Sequence, residues 1–533
     1  MKDKFYVTTT IPYANAPPHI GFALEIVQAD VLARWKSLKG FDVFFLTGTD
    51  EHGTKNYQMA KKAGLKPQKF VDKNSNYFKE LTKKLNISNN YFIKTTDKKV
   101  HWPGVVKVWN ELEKKGDIYK KKYTGKYCSG CERFITEKEL EDGKCSNHPN
   151  LKIQQISEEN YFFKLSKYSS KLKKLIETDK LKIRPLKWKN DFLGLIKDGL
   201  TDVSFSRDKN HLPWGIPVPE DENQVMYVWP DALTNYLTGI GFPDKKYKKY
   251  WPADVHVVGK DMLRFHTGIW PGMLLSIGLP LPKEVIVHGF LTVGGRKMSK
   301  SLGNVVAPLD LVKKYPADSI RYSLMRATPF GDDGDFSEEA LKDRHNNELA
   351  NKLGNLVRRV SVLAEKYGFD EKTREQHLPE RFRKALEKDN LEYEEIKRDI
   401  TLREKKGDLE DVIRLVKIKK EEGLDAHLLS YPQLMSEVTQ FFVNKYMETF
   451  QFDKALNIIF AYIDCCNEFI QLRRPWEGSK SIDYKKWVLG ESVKAIREIA
   501  ELLWPFIPEA SEKIKKQFSA KKIKKSEILF KKK

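Results

Sequence analysis

Along the first part of the chain, short apolar runs alternate with longer stretches of helical spacing. Phe5 to Thr9 is apolar and β-branched and reads as a buried strand. Beyond it, Ala23, Val27, Val31, Trp35 and Leu38 recur at helical intervals and predict one face of a helix. Gly40 stands where a C-terminal cap is expected. Asp42 to Leu46 reads as a second strand, ending in Thr47-Gly-Thr-Asp-Glu-His-Gly53. Asp254 to Val258 and Glu284 to His288 read as further strands of the same kind, and the second half of the sheet is expected to return near Val225. After about Asn346 the strand signals stop and the pattern is helical. The prediction is an α/β Rossmann-type domain followed by an all-α bundle.

Composition sharpens this picture. A chain of 533 residues calls for several domains, and an apolar fraction of 40% is enough for real cores. The net charge of +22, with a pI of about 9.3, implies an anionic partner, nucleic acid first. A lysine-rich proteome would also give a basic protein. No run is long and apolar enough for a membrane span, and because Met1-Lys-Asp-Lys leads straight into a predicted strand, no signal or transit peptide is expected. Five cysteines in such a length do not form a disulfide framework, so a reducing cytoplasm is expected.

Four stretches carry candidate chemistry. Ile11-Pro-Tyr-Ala-Asn-Ala-Pro-Pro-His-Ile-Gly-Phe22 is a strand-to-helix turn at the carboxyl end of a strand, where open α/β sheets bind ligands. The helix N-terminus there is expected to offer free N–H groups to an anion, with His19 donating to a phosphate oxygen and Gly21 letting a flat ring approach. Gly294-Gly-Arg-Lys-Met-Ser-Lys-Ser-Leu-Gly303 is a glycine-bracketed loop able to fold over a polyphosphate. Taken singly, these read equally as a capped turn and a basic surface loop. Cys128-x2-Cys131, thirteen residues, then Cys145-x2-His148 is a zinc pattern; four ligands close a tetrahedral site, so the metal is expected to be structural. Trp229, Ala232, Tyr236, Met262 and His266 suit an apolar pocket with two polar tips, fit for a thioether, or simple core packing. Gly259 permits close approach at a strand end, and Asp261 can accept from ribose hydroxyls.

Together the turn and the lysine-serine loop resemble the two signatures of class I aminoacyl-tRNA synthetases, and the sequence between them is similar to that of the methionyl members. The resemblance covers nearly the whole chain. It implies that methionine and ATP give methionyl-adenylate and pyrophosphate, and that the acyl group passes to the terminal adenosine of tRNA(Met). His19, Lys297 and Lys300 would stabilise the phosphates; Gly21, Gly259, Asp261 and Ser299 would help hold the ATP, with Mg²⁺ beside it. Asp50 would hold the methionine amino group, and Ile11 and Tyr13 would join the pocket. The zinc knuckle matches an insertion of the family, and Asn355, Arg359 and Trp476 match positions that read the anticodon. The expected domains are 1–116 and 225–290 for the two halves of the sheet, 117–224 for the zinc-bearing insertion, 291–345 for the lysine-serine loop and a linking fold, and 346–533 for the helical anticodon-binding part.

The chain departs from that pattern in three places. Phe22 replaces the final histidine of the first signature, and a phenyl ring cannot donate to phosphate. The stretch from about Glu371 to Ser430 is rich in Lys, Glu and Arg and reads as a charged helical hairpin. The lysine-rich tail ends at Leu529-Phe-Lys-Lys-Lys533, its last residues expected in solvent; the absence of a further module favours a monomer. Two other readings stand beside the main one: a class I synthetase for another amino acid, and a non-catalytic tRNA-binding paralogue.

Overall fold

Six parallel strands make the main sheet of the computed structural model, which describes residues 3–128, 133–135, 140–146, 149–298, 304–371 and 432–533. β1 (Lys4–Thr9), β2 (Asp42–Thr49), β3 (Tyr91–Lys94), β4 (Lys182–Arg184), β5 (Val255–Gly259) and β6 (Glu284–His288) lie in the order β3-β2-β1-β5-β6-β4. β1 sits at the centre, with Phe5 beside Val43 on one side and Val7 beside Val255 on the other. All of β5 is buried, as is β6 beyond its first residue, which is why these strands are continuous apolar runs rather than alternating ones.

The sequence pattern and the fold differ at several points, each for a physical reason. β2 runs on to Thr49 because Gly48 lies flat against β3: a Cβ there would stand 2.2 Å from the Ile93 carbonyl oxygen. The helix Ile20–Leu38 is buried on every side as far as Trp35, Gly21 excepted, instead of on one face. Its polar residues are paired inside: Asp30 accepts from Arg34 Nε at 2.8 Å and from the Ser88 amide and hydroxyl at 2.6 Å. Val225 stands in an antiparallel strand, Asp221–Met226, of a separate three-stranded sheet. β4 comes from within 117–224; the neighbouring strands of that stretch, Ile118–Cys128, Arg133–Ile135, Gln154–Phe163 and Val203–Ser204, form an antiparallel sheet of their own.

The chain divides into two compact units. One comprises 1–314 and 331–335; the other comprises 315–330 and 336–533. The second is helical, with Ala317–Ala327, Glu338–Arg344, Asn355–Tyr367, Pro432–Glu448, Phe452–Arg473, Ile482–Leu503 and Pro508–Phe518 among its elements. Inside it, the buried Arg321 donates to the Pro505 and Phe506 carbonyls at 2.7 and 2.9 Å. The chain's end is tied down rather than solvated along its backbone. Phe530 is buried against His345, and Asn346 exchanges two hydrogen bonds with Lys533 at 3.0 and 2.9 Å. The three final lysine side chains stay exposed. The expected charged hairpin lies outside the described residues, apart from its first residue, Glu371.

Candidate functional site

The order of the main sheet reverses between β1 and β5, which opens a crevice at their carboxyl ends. The turn from Ile11 to Phe22 lines it. This turn is docked on the end of β2: Tyr13 bridges Asp50, the Asp50 amide donates to the Pro12 carbonyl at 2.9 Å, and the Ala14 amide donates to the Asp50 carbonyl at 2.9 Å. Asn74 Nδ2 braces it through the Ala14 carbonyl at 2.9 Å.

His19 is exposed and caps the helix, its Nδ1 accepting from the Gly21 amide at 3.1 Å. That bond fixes the tautomer of the neutral ring: Nε2 carries the proton and is the donating nitrogen. Gly21 is required by the same ring, since a Cβ there would stand 2.9 Å from His19 Cε1. The chain's own imidazole thus lies over Gly21. The expected free N–H groups are not there. The Ile20 amide donates to the Val306 carbonyl at 3.0 Å, that of Gly21 to His19 Nδ1, and those of Phe22 and Ala23 to the His19 carbonyl at 3.0 and 3.3 Å. An anion at this turn meets the imidazole rather than bare amides. Phe22 is buried and packs edge-on against Phe78, ring centroids 5.0 Å apart, so its side chain serves the core.

The second signature lies beside the first. Leu291–Val293 and Arg296–Lys297 form a hairpin whose turn, Gly294-Gly295, has φ of 61° and 69°, as a two-residue turn of this hand demands. Asp335 holds its base, accepting from Thr292 Oγ1 at 2.6 Å and the Gly295 amide at 2.9 Å. Met298 Cε stands 3.9 Å from the Cβ position of Gly21, and Val306, past the loop, holds the Ile20 amide. Lys297 is on the hairpin strand; Ser299 and Lys300 lie outside the described residues.

Across the crevice, Gly259 ends β5. A Cβ on it would meet Asp261 Oδ1 at 2.9 Å and His288 Cε1 at 3.6 Å. The buried Glu25 accepts from the Thr10 amide at 2.7 Å and from His288 Nε2 at 3.0 Å, while His288 Nδ1 faces the Gly289 carbonyl at 2.8 Å. Both ring nitrogens face acceptors, an arrangement that favours the doubly protonated ring. Burial works against that charge, but the hydrogen bond and charge of Glu25 outweigh it and raise the imidazole above its ordinary value.

Most residues expected in the apolar pocket lie in or against one hydrophobic core. Trp229 and Tyr236 belong to it, with Ile11, Tyr13 and Met262 packed against it. Trp229 stacks on Phe265 with ring centroids 3.5 Å apart. His266 Nδ1 donates to the Met262 carbonyl at 2.9 Å, and Nε2 accepts from the Tyr236 hydroxyl at 2.6 Å. Burial pushes the His266 imidazole down to about 4 and the Tyr236 phenol up. The ring is neutral and its orientation is fixed from both ends.

In the helical unit, Asn355, Arg359 and Trp476 line one groove of about 610 Å³, together with Arg358, Val362, Leu363 and Gln471. Asn355 and Arg359 share a face of the helix Asn355–Tyr367. Trp476 is 39% exposed, and Asn355 and Arg359 are exposed as well.

Comparison with known proteins decides between the readings. Residues 5–154 and 145–361 match the family described as tRNA synthetases class I (M), and 437–533 match the anticodon-binding domain of tRNA ligases. A methionine–tRNA ligase of Caldanaerobacter subterraneus is 41% identical over 524 residues, 97% of this chain and 74% of that one. One of Brucella suis is 37% identical over 520 residues, covering 96% of this chain and 91% of its own. The chain belongs to the class I methionyl-tRNA synthetases. A crystal structure of the Mycobacterium tuberculosis enzyme bound by methionyl-adenylate superposes with a TM-score of 0.83 at 33% identity, covering 99% of this chain and all of that one. The reaction of this synthetase is the ATP-driven ligation of methionine to its tRNA.

Two buried polar clusters near the crevice are not legible as clusters in the sequence. Glu25 and His288 are far apart in the chain, as are His52, His101 and Asp231, which form a second buried cluster. The available signal is weak: an acidic residue facing inward on an apolar helix, and a histidine closing an apolar strand. Of the zinc pattern, Cys128 and Cys145 are buried in one small cluster with Ile135, while Cys131 and His148 lie outside the described residues. Among the described residues no helix is long and apolar enough to cross a membrane.

Proposed function

We propose that methionine is activated in the crevice outside β1 and β5, by the following residues. The ribose of ATP rests against Gly259 and Asp261, and its phosphates lie under the second signature. His19 donates through Nε2 to a phosphate oxygen, with Gly21 leaving room for the ring. The methionine carboxylate attacks the α-phosphorus and pyrophosphate leaves; Lys297, Ser299 and Lys300 balance the charge that grows on the phosphates. Mg²⁺, arriving with ATP, would supply further charge neutralisation. The methionine ammonium pairs with Asp50, and its thioether lies among Ile11, Tyr13, Trp229, Ala232, Tyr236, Met262 and His266, where a weak acceptor meets aromatic faces. Unpaired anticodon bases of tRNA(Met) enter the groove of Asn355, Arg359 and Trp476.

The observation that carries this reading is the meeting of the two signatures, with Met298 beside Gly21 and the Val306 carbonyl on the Ile20 amide. Lys300→Ala tests it in methionine-dependent ATP–pyrophosphate exchange. One preorganised donor to developing charge is worth roughly 10²–10³ in rate, so the exchange rate should fall by that factor with methionine binding little changed. An unchanged rate would remove Lys300 from the mechanism.

We propose further that Cys128, Cys131, Cys145 and His148 hold one structural zinc. The donor set fits: two pairs of soft or borderline ligands leave no open position, and the two described thiols share a buried cluster. Metal analysis of protein prepared without chelator should find about one zinc per chain, and Cys128→Ala should release it and unfold the knuckle. Protein without zinc would refute the assignment.

A further inference from the structure

Beneath the pocket, a carboxylate and two imidazoles are sealed from solvent. Asp231, His52 and His101 are at most 1% exposed. Asp231 Oδ2 stands 2.7 Å from His52 Nδ1, and its Oδ1 stands 2.8 Å from His101 Nε2. A carboxylate only accepts, so both imidazoles donate to it. His101 Nδ1 is 2.8 Å from Thr238 Oγ1, which closes the chain of bonds. Burial favours the protonated acid, but the charges and hydrogen bonds of the two histidines hold Asp231 below the usual carboxylate range.

Three segments meet in this cluster. His52 follows Asp50 in the turn after β2, and Asn56 Nδ2 ties the two by donating to the Asp50 carbonyl at 3.0 Å and the His52 carbonyl at 2.8 Å. Trp214 clamps the same turn, donating to the Glu51 carbonyl at 2.7 Å with its ring 5.4 Å from that of His52. Asp231 sits in the short helix Val228–Leu233, between Trp229 and Ala232. His101 begins the helix Trp102–Lys114, whose Gly104 is so close to Thr238 that a Cβ would stand 2.3 Å from its Cγ2.

A buried ionic cluster stabilises a fold no better than apolar side chains of equal volume. What it adds is direction: short bonds that hold one segment at a set distance from another. Here the two segments are the turn carrying Asp50 and the helix carrying Trp229 and Ala232. The first would take the ammonium of methionine and the second its side chain.

We infer that Asp231, through His52 and His101, is the positioning residue that sets the spacing between the ammonium and thioether subsites, and so determines the enzyme's grip on methionine. This rests on the assignment of Asp50, Trp229 and Ala232 to methionine. Asp231 acts through its neighbours and touches no substrate.

The test measures methionine KM and ATP KM separately in pyrophosphate exchange. His52→Leu keeps the volume and loses the donor; His52→Asn loses volume but places an amide N–H near the position of Nδ1. The methionine KM of His52→Leu should rise roughly ten- to a hundredfold, the span of a lost hydrogen bond to a buried charge, with ATP KM within about twofold. His52→Asn should stay within about threefold of wild type. A packing role predicts the opposite order, with Asn worse than Leu. That order, an unchanged methionine KM in His52→Leu, or equal rises for both substrates would overturn the inference. If His52→Leu fails to fold, Asp231→Asn, equal in size, should raise methionine KM at least about tenfold, and no rise would overturn it. Asp50→Ala separates the two levels. If it leaves methionine KM unchanged, the assignment of the methionine site is wrong; if it abolishes methionine use while His52→Leu and Asp231→Asn do nothing, only the positioning role fails.

Discussion

Around the proposed methionine pocket the polar groups are already tied to the protein. Tyr236 bonds His266, His266 bonds the Met262 carbonyl, and Asp231 accepts from His52, two residues beyond Asp50. In the groove of the helical unit, Asn355, Arg359 and Trp476 stand on the surface, Trp476 with 39% of its area open. The contrast suits the two kinds of ligand proposed for these places. A small amino acid must be held in one pose for an in-line attack, so the site is bonded in advance and misplacement is costly. Unpaired bases come on a flexible strand and are caught by flat faces and forked donors that need not be rigid beforehand. Substitutions should therefore act differently at the two places: on methionine alone around the proposed pocket, on tRNA alone in the groove.

The sharpest way to break that contrast is Trp476→Ala. Stacking on an aromatic is worth about 1–3 kcal/mol per base, so aminoacylation efficiency with tRNA should fall roughly ten- to a hundredfold. Pyrophosphate exchange, which uses only methionine and ATP, should stay nearly intact. Changing the CAU anticodon should then hurt the wild-type enzyme more than the variant, since a contact already lost cannot be lost twice. Equal losses in both would mean that Trp476 only packs the helical unit.

How much of this could be read from the chain depends on how local each interaction is. His19 and Gly21 are two residues apart, and the bond between them is turn chemistry, so their place at a strand-to-helix turn was legible. The strand Glu284–His288 was legible to the residue because it is a buried apolar run. The fate of the first amides of the helix was not: the partner of Ile20 is Val306, far along the chain, and no local rule predicts it. The same holds for Phe22, whose burial depends on Phe78, and for β4, a three-residue edge strand recruited from inside the insertion. Trp476 and Asn355 came together in the reading only through resemblance to a family; the bundle that joins them has no signature in either segment.

The smallest effect expected is a response to pH that stays absent where a histidine lines the proposed pocket. His266 is fully enclosed and burial holds it at about 4, against an ordinary value of 6.5. A base whose folded value is depressed contributes its full stability above the unfolded value and loses it as pH falls through the window between the two. Acidification from pH 6.5 toward 4 should thus lower the melting temperature while His266 in the folded enzyme remains neutral. Methionine KM should stay flat from about pH 5.5 to 8, because the nitrogen facing Tyr236 does not change state there. His288 has the opposite sign. Its value is raised, so its bond to Glu25 is present below the unfolded value and weakens as pH climbs through the folded one. A histidine limb above pH 6.5 is expected in the ATP KM, on the side of the crevice where Glu25, Gly259 and Asp261 meet. Steady-state exchange kinetics across this range, with the substrates varied in turn, checks both halves. A methionine KM that rises with an apparent pKa near 6.5 would mean that solvent reaches His266, and the pocket would be as open as the groove.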